Sequence, residues 1–176
     1  MKSLQTFILE NTQKTSIPVY RGLSQKFDPK YKNDVIWVST SLDHAEMYAS
    51  QGKGEVIRYT LNGAKLNPLD LGFRSVETEV KFDEIIGRLK PAIMEQFKKG
   101  NLAKSTAMEV MKDISALKSL SGHKQVWEWI HVKEVLNLLK KAGFNVIKQN
   151  EDLVKGGGKI VTYGIIQNAS SLLKSV

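Results

Sequence analysis

The chain has 176 residues, of which 41% are apolar and 25% charged, a composition typical of one globular domain and unlike that of disordered proteins. It has no cysteine, which excludes disulfides and thiolate chemistry. It also has no apolar run near the ~20 residues of a membrane helix, so we expect a cytoplasmic protein that does not contact membranes. The formal net charge of +8 favours an acidic partner, but the lysines are spread along the chain, as is typical of solvated helix faces.

The first half of the chain is predicted to be rich in strands. A short N-terminal helix around Phe7 should precede them and end before Pro18. Three strands are then predicted at residues 18–20, 35–39 and 55–61, of which the last shows clean alternation of apolar residues. The spacing from Asp43 to Glu46 is that of a capping box, so a helix should begin there.

A helical block occupies the middle of the sequence. Apolar residues at helical spacing predict one helix over 81–99, with an interruption at Pro91, and another over 102–118. Together they form a helical insertion at about 80–120.

The last part of the chain returns to strands. A helix over 132–142 should end at Gly143 and be followed by strands at 145–148 and 159–166. Strands before and after the helical block must pair with one another. The order therefore predicts a single α+β domain over 1–176, with two small antiparallel-rich sheets around a central cleft.

Two other patterns carry little functional weight. The run from Gly156 to Lys159 lacks the spacing of a phosphate-binding loop and indicates a hairpin connection. His44, His123 and His131 are scattered without a second ligand at a metal-binding interval, so no metal site is predicted.

Polar side chains stand where two strands of the first half end. Arg21 supplies a planar fork of donors suited to a phosphate or a ribose, and Gly22 lets a ligand lie against its backbone. Ser39, Thr40 and Ser41 supply short donors and acceptors for ribose hydroxyls. Alone, an Arg-Gly pair usually marks a surface turn, and a Ser-Thr-Ser run usually marks an N-cap. Together they favour a site for a nucleotide-sized ligand between two strand ends.

These segments resemble the ADP-ribosyltransferase fold of the arginine–serine–glutamate type, and most of all the small versions from phages and mobile elements. The resemblance covers most of the chain. Its segments are Tyr20-Arg21-Gly22, Ser39-Thr40-Ser41, residues 45–49, residues 54–61 with 69–71, Trp127-Glu128-Trp129, residues 132–147 and residues 160–172.

The resemblance implies a site for NAD, used as a substrate. Arg21 would contact the ribose–phosphate side, the Gly22 backbone would pair with the nicotinamide carboxamide, and Tyr48 would pack near the nicotinamide pocket. Ser39 and Thr40 would brace the nicotinamide ribose and Arg21. The full set implied for NAD binding is Tyr20, Arg21, Gly22, Ser39, Thr40, Ser41 and Tyr48.

The implied reaction cleaves the nicotinamide–ribose bond and needs a carboxylate to stabilise positive charge on the ribose. The family places a glutamate where this chain has Thr162, or Val161 if the register shifts by one. Glu79 is the first substitute because it opens the helical insertion, and Glu128 is the second. Glu77 and Glu151 are further candidates, and the implied catalytic set is Arg21, Ser39, Glu79 and Glu128.

Three functions therefore compete. The first is a mono-ADP-ribosyltransferase that modifies a macromolecule, such as an acidic or host protein, inside the host cell. The second is a non-catalytic phage structural or inhibitory protein of the same fold, which could be located in the virion. It agrees with the presence of Thr162 where the family has its glutamate. The third is a nucleic-acid binder, which rests on the charge of +8 alone.

Overall fold

The computed structural model describes residues 15–24, 35–51, 54–72, 79–117, 120, 122–152 and 159–176. The predicted N-terminal helix, the 156–158 glycines and Glu77 lie outside these residues. The strands within them are β1 (Ser16–Leu23), β2 (Ile36–Ser39), β3 (Glu55–Asn62), β4 (Pro68–Asp70), β5 (Glu79–Lys81), β6 (His123–Gln125), β7 (Val146–Asp152), β8 (Lys159–Ile165) and β9 (Leu173–Ser175). The helices are α1 (Leu42–Ser50), α2 (Phe82–Lys98), α3 (Lys104–Ala116), α4 (Val126–His131), α5 (Lys133–Lys141) and α6 (Ala169–Leu172).

Seven strands form one sheet in the order β4-β7-β8-β2-β1-β3-β9. All neighbours in it are antiparallel except β4 and β7, which are parallel. The predicted α+β class is confirmed. The strand arrangement differs from the expected pair of small sheets, because β8 joins the early and late strands into one sheet. The other sheet among the described residues is the two-stranded ribbon β5–β6.

Helices cover one face of this sheet. Directly opposite residues of paired strands share a face, and neighbours along a strand alternate. We call the face that carries Tyr20, Ser39 and Thr162 the helical face. Its apolar side chains, such as Ile147, join helices α2 to α5 in the larger core, so the helical insertion packs on the sheet. The other face carries Val19, Val38 and Tyr163 in a second core that α6 helps to cover.

Helix α2 continues through Pro91, so the predicted interruption there is wrong. Proline removes one backbone donor and crowds the carbonyl four residues earlier. Pro91 is exposed, and that carbonyl belongs to Gly87, which is also exposed, so water can take the place of the lost hydrogen bond. The helix predicted to stop at Gly143 does end there, because Gly143 has φ +83°, in the left-handed region that favours glycine.

A network of side-chain amides fastens the ends of α2 and α5 to the start of β4 and β7. Asn67 donates from Nδ2 to the Gly143 carbonyl over 2.9 Å and accepts from Gln96 Nε2 over 2.7 Å. Its backbone N–H donates to Asn145 Oδ1 over 2.7 Å, and Asn145 Nδ2 in turn donates to the Lys65 carbonyl over 2.8 Å. This network sets where the helical layer stands relative to the sheet.

Candidate functional site

Five polar residues lie opposite one another across five neighbouring strands of the helical face. We call them the polar row, and in the order β3, β1, β2, β8, β7 they are Arg58, Tyr20, Ser39, Thr162 and Gln149. Ser39, Thr162 and Gln149 are only 4%, 6% and 6% exposed. Central strands usually fill such positions with apolar side chains. Buried polar side chains in this position make the row a candidate binding site.

Ser39 is bonded to the start of helix α1. Its Oγ accepts the backbone N–H of Ser41 over 3.1 Å and lies 3.1 Å from Nδ1 of His44. His44 is itself buried, and its ring and that of Tyr48 meet edge to face with centroids 5.0 Å apart. A hydroxyl, an imidazole and a phenol therefore stand together over the middle of the sheet.

The other two hydroxyls of this segment hold the backbone in place. Ser41 is the N-cap of α1 and its Oγ accepts the N–H of His44 over 3.2 Å. Thr40 donates its N–H to the Val161 carbonyl over 3.0 Å and accepts the Val161 N–H at Oγ1 over 3.1 Å. Thr40 and Ser41 thus position Ser39, whereas Ser39 itself belongs to the polar row.

Gly22 is covered by helix α1. A Cβ built on Gly22 would lie 2.1 Å from the Ala45 carbonyl oxygen and 3.0 Å from both Ala49 N and Tyr48 Cβ. Its missing side chain therefore serves the close approach of β1 and α1. The structure brings Gly22 to the same face as Ser39, but this side of its backbone faces the helix.

Arg21 and Ser39 do not converge. Tyr20 is the β1 residue opposite Ser39, so Arg21, one residue further along, lies on the other face and opposite Ile57. Arg21 is half-buried there, and no described residue forms a hydrogen bond or ion pair with its guanidinium. Among the polar row, the cation on the Ser39 side is Arg58, which is exposed at the end of the row.

The two carboxylates predicted to substitute for the missing glutamate lie close to one residue, Gln125. Glu79 begins β5, is exposed, and stands opposite Gln125 in the ribbon. Glu128 Oε2 accepts the Gln125 N–H over 2.9 Å and completes a capping box at α4. Glu151 lies in β7, opposite Ile160 of β8.

An aromatic wall connects the polar row with these carboxylates. We define it as Trp37, His131 and Trp127. Trp37 lies two residues before Ser39 in β2, and its ring covers Gly164, where a Cβ would be only 2.8 Å away. Trp37 Nε1 donates to His131 Nε2 over 3.4 Å, the Trp127 and His131 rings meet edge to face at 6.1 Å, and Trp127 Nε1 donates to Gln125 Oε1.

The polar row and the wall form the best-supported site among the described residues. A surface depression between α3 and α5, lined by Asp113, Glu134 and Lys141 among others, lies apart from them. No group of three or more metal-binding side chains occurs among the described residues, and none of their helices is long and apolar enough to cross a membrane.

Burial shifts the pKa of Tyr163, the residue that follows Thr162 in β8. Tyr163 lies on the other face, where burial raises the pKa of the phenol above its ordinary value. Lys148 lowers this pKa and Asp70 raises it, and the two form an ion pair of 2.9 Å beside the ring. The neutral phenol is therefore the form that the folded protein favours.

Five residues of the site carry no functional prediction from the sequence: Trp37, His44, Arg58, His131 and Gln149. The sequence places Trp37 in a strand and presents the two histidines only as potential metal ligands. A signal for His44 does exist, since the third residue of a helix N-capped by Ser41 is placed back toward the preceding strand end. Comparison of the chain with protein-family models, curated proteins and solved structures found no match.

Proposed function

We propose that this protein binds NAD over the polar row and transfers its ADP-ribose to a macromolecular acceptor, as a mono-ADP-ribosyltransferase. The observation that carries the proposal is the pair Ser39 and Thr162, buried side by side at the centre of the sheet with His44 and Tyr48 above Ser39. The proposal includes that a phage or mobile element encodes the protein and that the acceptor of ADP-ribose is a component of the host cell.

The row offers what a ribose and its phosphates need. The row carries hydroxyls at Tyr20, Ser39 and Thr162, the kind of group that suits ribose hydroxyls, and Ser39 keeps one hydrogen-bonding position beyond its bonds to Ser41 and His44. Arg58 lies on the same face and has the planar donor fork that suits a diphosphate, so it replaces Arg21 as the phosphate ligand in this arrangement. The rings of Trp37 and Tyr48, both half-buried, offer faces and edges for the nicotinamide ring.

The reaction needs a carboxylate near the nicotinamide ribose as positive charge develops there. Glu79 and Glu128 both lie at Gln125, at the far end of the aromatic wall from Ser39. A ligand that extends along the wall would bring its ribose toward them. Glu79 is the better candidate because its carboxylate is exposed, whereas Glu128 already accepts the Gln125 N–H.

The test is transfer of label from NAD to host lysate by the wild type and by Glu79→Gln, Glu128→Gln and the exposed control Glu134→Gln. Loss of a charge that stabilises the transition state costs about 2.7–4 kcal/mol, so we expect Glu79→Gln to lose about a hundred- to a thousandfold in rate. Glutamine at 128 can still accept the Gln125 N–H, so Glu128→Gln separates charge from capping. Equal rates for all four proteins would exclude both carboxylates from the mechanism.

A second candidate function is binding of NAD without transfer, by a phage structural or inhibitory protein. The observation that favours it is Thr162, a buried neutral residue where the family has its glutamate, in a polar row that contains no carboxylate. Calorimetric titration with NAD and the label-transfer assay together distinguish the two. Binding without any label transfer across several lysates supports the second candidate, and binding with transfer supports the first.

A further inference from the structure

We infer that His44 is a positioning residue that sets the hydrogen-bonding direction of the Ser39 hydroxyl toward the ligand, an inference that rests on the proposed NAD site. Nδ1 of His44 lies 3.1 Å from Ser39 Oγ, and both side chains are buried. Because both groups are largely shielded from solvent, this bond is stronger than it would be at the surface, and the imidazole acts directly on the hydroxyl.

The argument depends on how many hydrogen bonds one hydroxyl can make. Ser39 has one O–H and two lone pairs, and one lone pair already accepts the Ser41 N–H over 3.1 Å. If His44 Nδ1 carries no hydrogen, it accepts the Ser39 O–H, and Ser39 is left with one lone pair to accept from the ligand. If Nδ1 carries a hydrogen, it donates to that lone pair, and Ser39 is left with an O–H to donate.

The structure also fixes the imidazole in place. His44 is in the first turn of α1, where its N–H is capped by Ser41 Oγ over 3.2 Å, and the Tyr48 ring meets its ring at an interplanar angle of 80°. The cap ties the helix start to the same strand end that carries Ser39. The cap therefore fixes the backbone of His44, while burial and the Tyr48 ring restrain its imidazole beside Ser39.

Matched substitutions separate the two properties of His44. His44→Phe keeps a ring against Tyr48 but has no nitrogen at the Nδ1 position. His44→Asn loses the ring but keeps a polar atom close to that position. Each variant is made in the wild-type background and together with Ser39→Ala, and the dissociation constant for NAD is measured by calorimetry, with the thermal midpoint as the folding control.

We expect His44→Phe to weaken NAD binding about 3- to 10-fold, the range of a single neutral hydrogen bond, and His44→Asn to stay within about twofold. In the Ser39→Ala background His44→Phe should have no further effect, because the group through which it acts is gone. An equal loss in both backgrounds, or wild-type binding by His44→Phe, would overturn the inference alone. Absence of NAD binding by the wild-type protein would overturn it together with the proposed function.

Discussion

At position 22, the presence or absence of one carbon atom decides how closely β1 and α1 can pack. The nearest atom to a Cβ there is a backbone oxygen, that of Ala45, at 2.1 Å, so a flexible side chain cannot move aside to relieve the contact. The sequence suggested that this glycine leaves room for a ligand. Its contacts show that the same absence of a side chain leaves room for a helix.

Gly22→Ala is therefore expected to destabilise the protein by about 1–3 kcal/mol, since overpacking moves either β1 or α1. Gly87→Ala is the matched control, because nothing lies within 4 Å of a Cβ at position 87 of α2. That change should stabilise by about 0.5–1 kcal/mol through helix propensity. Urea denaturation of the three proteins measures both effects, and equal midpoints for wild type and Gly22→Ala would contradict the close packing.

Amide side chains, as well as apolar contacts, hold the helices in place against the sheet. Asn67 comes just before β4, yet it reaches the C-terminal ends of α2 and α5 through Gln96 and Gly143. Gln96 is buried in α2, where its Oε1 also accepts from Asn101 Nδ2 over 3.1 Å. The position of the helical layer thus depends on a residue that belongs to no helix or strand.

Asn67→Ala should cost about 1–3 kcal/mol of unfolding free energy, because it removes two hydrogen bonds and leaves the Gln96 amide donor buried without Asn67 Oδ1. Asn137→Ala, at an exposed position of α5, controls for the loss of an asparagine and should be neutral or slightly stabilising. Chemical denaturation compares them. If both substitutions shift the midpoint alike, the network does not hold the layers together.

The elements themselves were largely accessible to prediction, since each depends on neighbours in sequence. Apolar stripes predicted helices at 81–99 and 102–118, and the structure has them at Phe82–Lys98 and Lys104–Ala116. The three-residue strands β4, β5, β6 and β9 gave no such pattern. They exist because of their partners, as β4 pairs with β7 across about 78 residues of sequence.

The site was harder to predict from the sequence, because its geometry depends on the pairing register of the strands. Arg21 and Ser39 were expected to converge, and their strands do pair. The single pairing of Tyr20 with Ser39 puts Arg21 on the other face, and a shift of one residue would have reversed this. No local pattern in β1 or β2 sets that pairing, which the whole sheet determines.

For the whole molecule, the sheet predicts a gradient of stability from its centre to its edges. β8 pairs along its length with β7 on one side and over four residues with β2 on the other, whereas β9 is a three-residue strand at the edge. Amide hydrogen exchange should therefore be slowest in β8 and β2 and faster in β9 and the β5–β6 ribbon. Mass spectrometry of peptides after exchange tests this, and β8 peptides that exchange as fast as those of β9 would contradict the sheet order.

During synthesis, β8 leaves the ribosome after every other described strand except β9. The end of β2 cannot form its bonds until then, since Thr40 pairs with Val161 across 121 residues of sequence. The nascent chain meanwhile carries β2 with one edge open, and open edges pair readily with other chains. Ribosome stalling before β8 would therefore yield a product that aggregates or depends on chaperones.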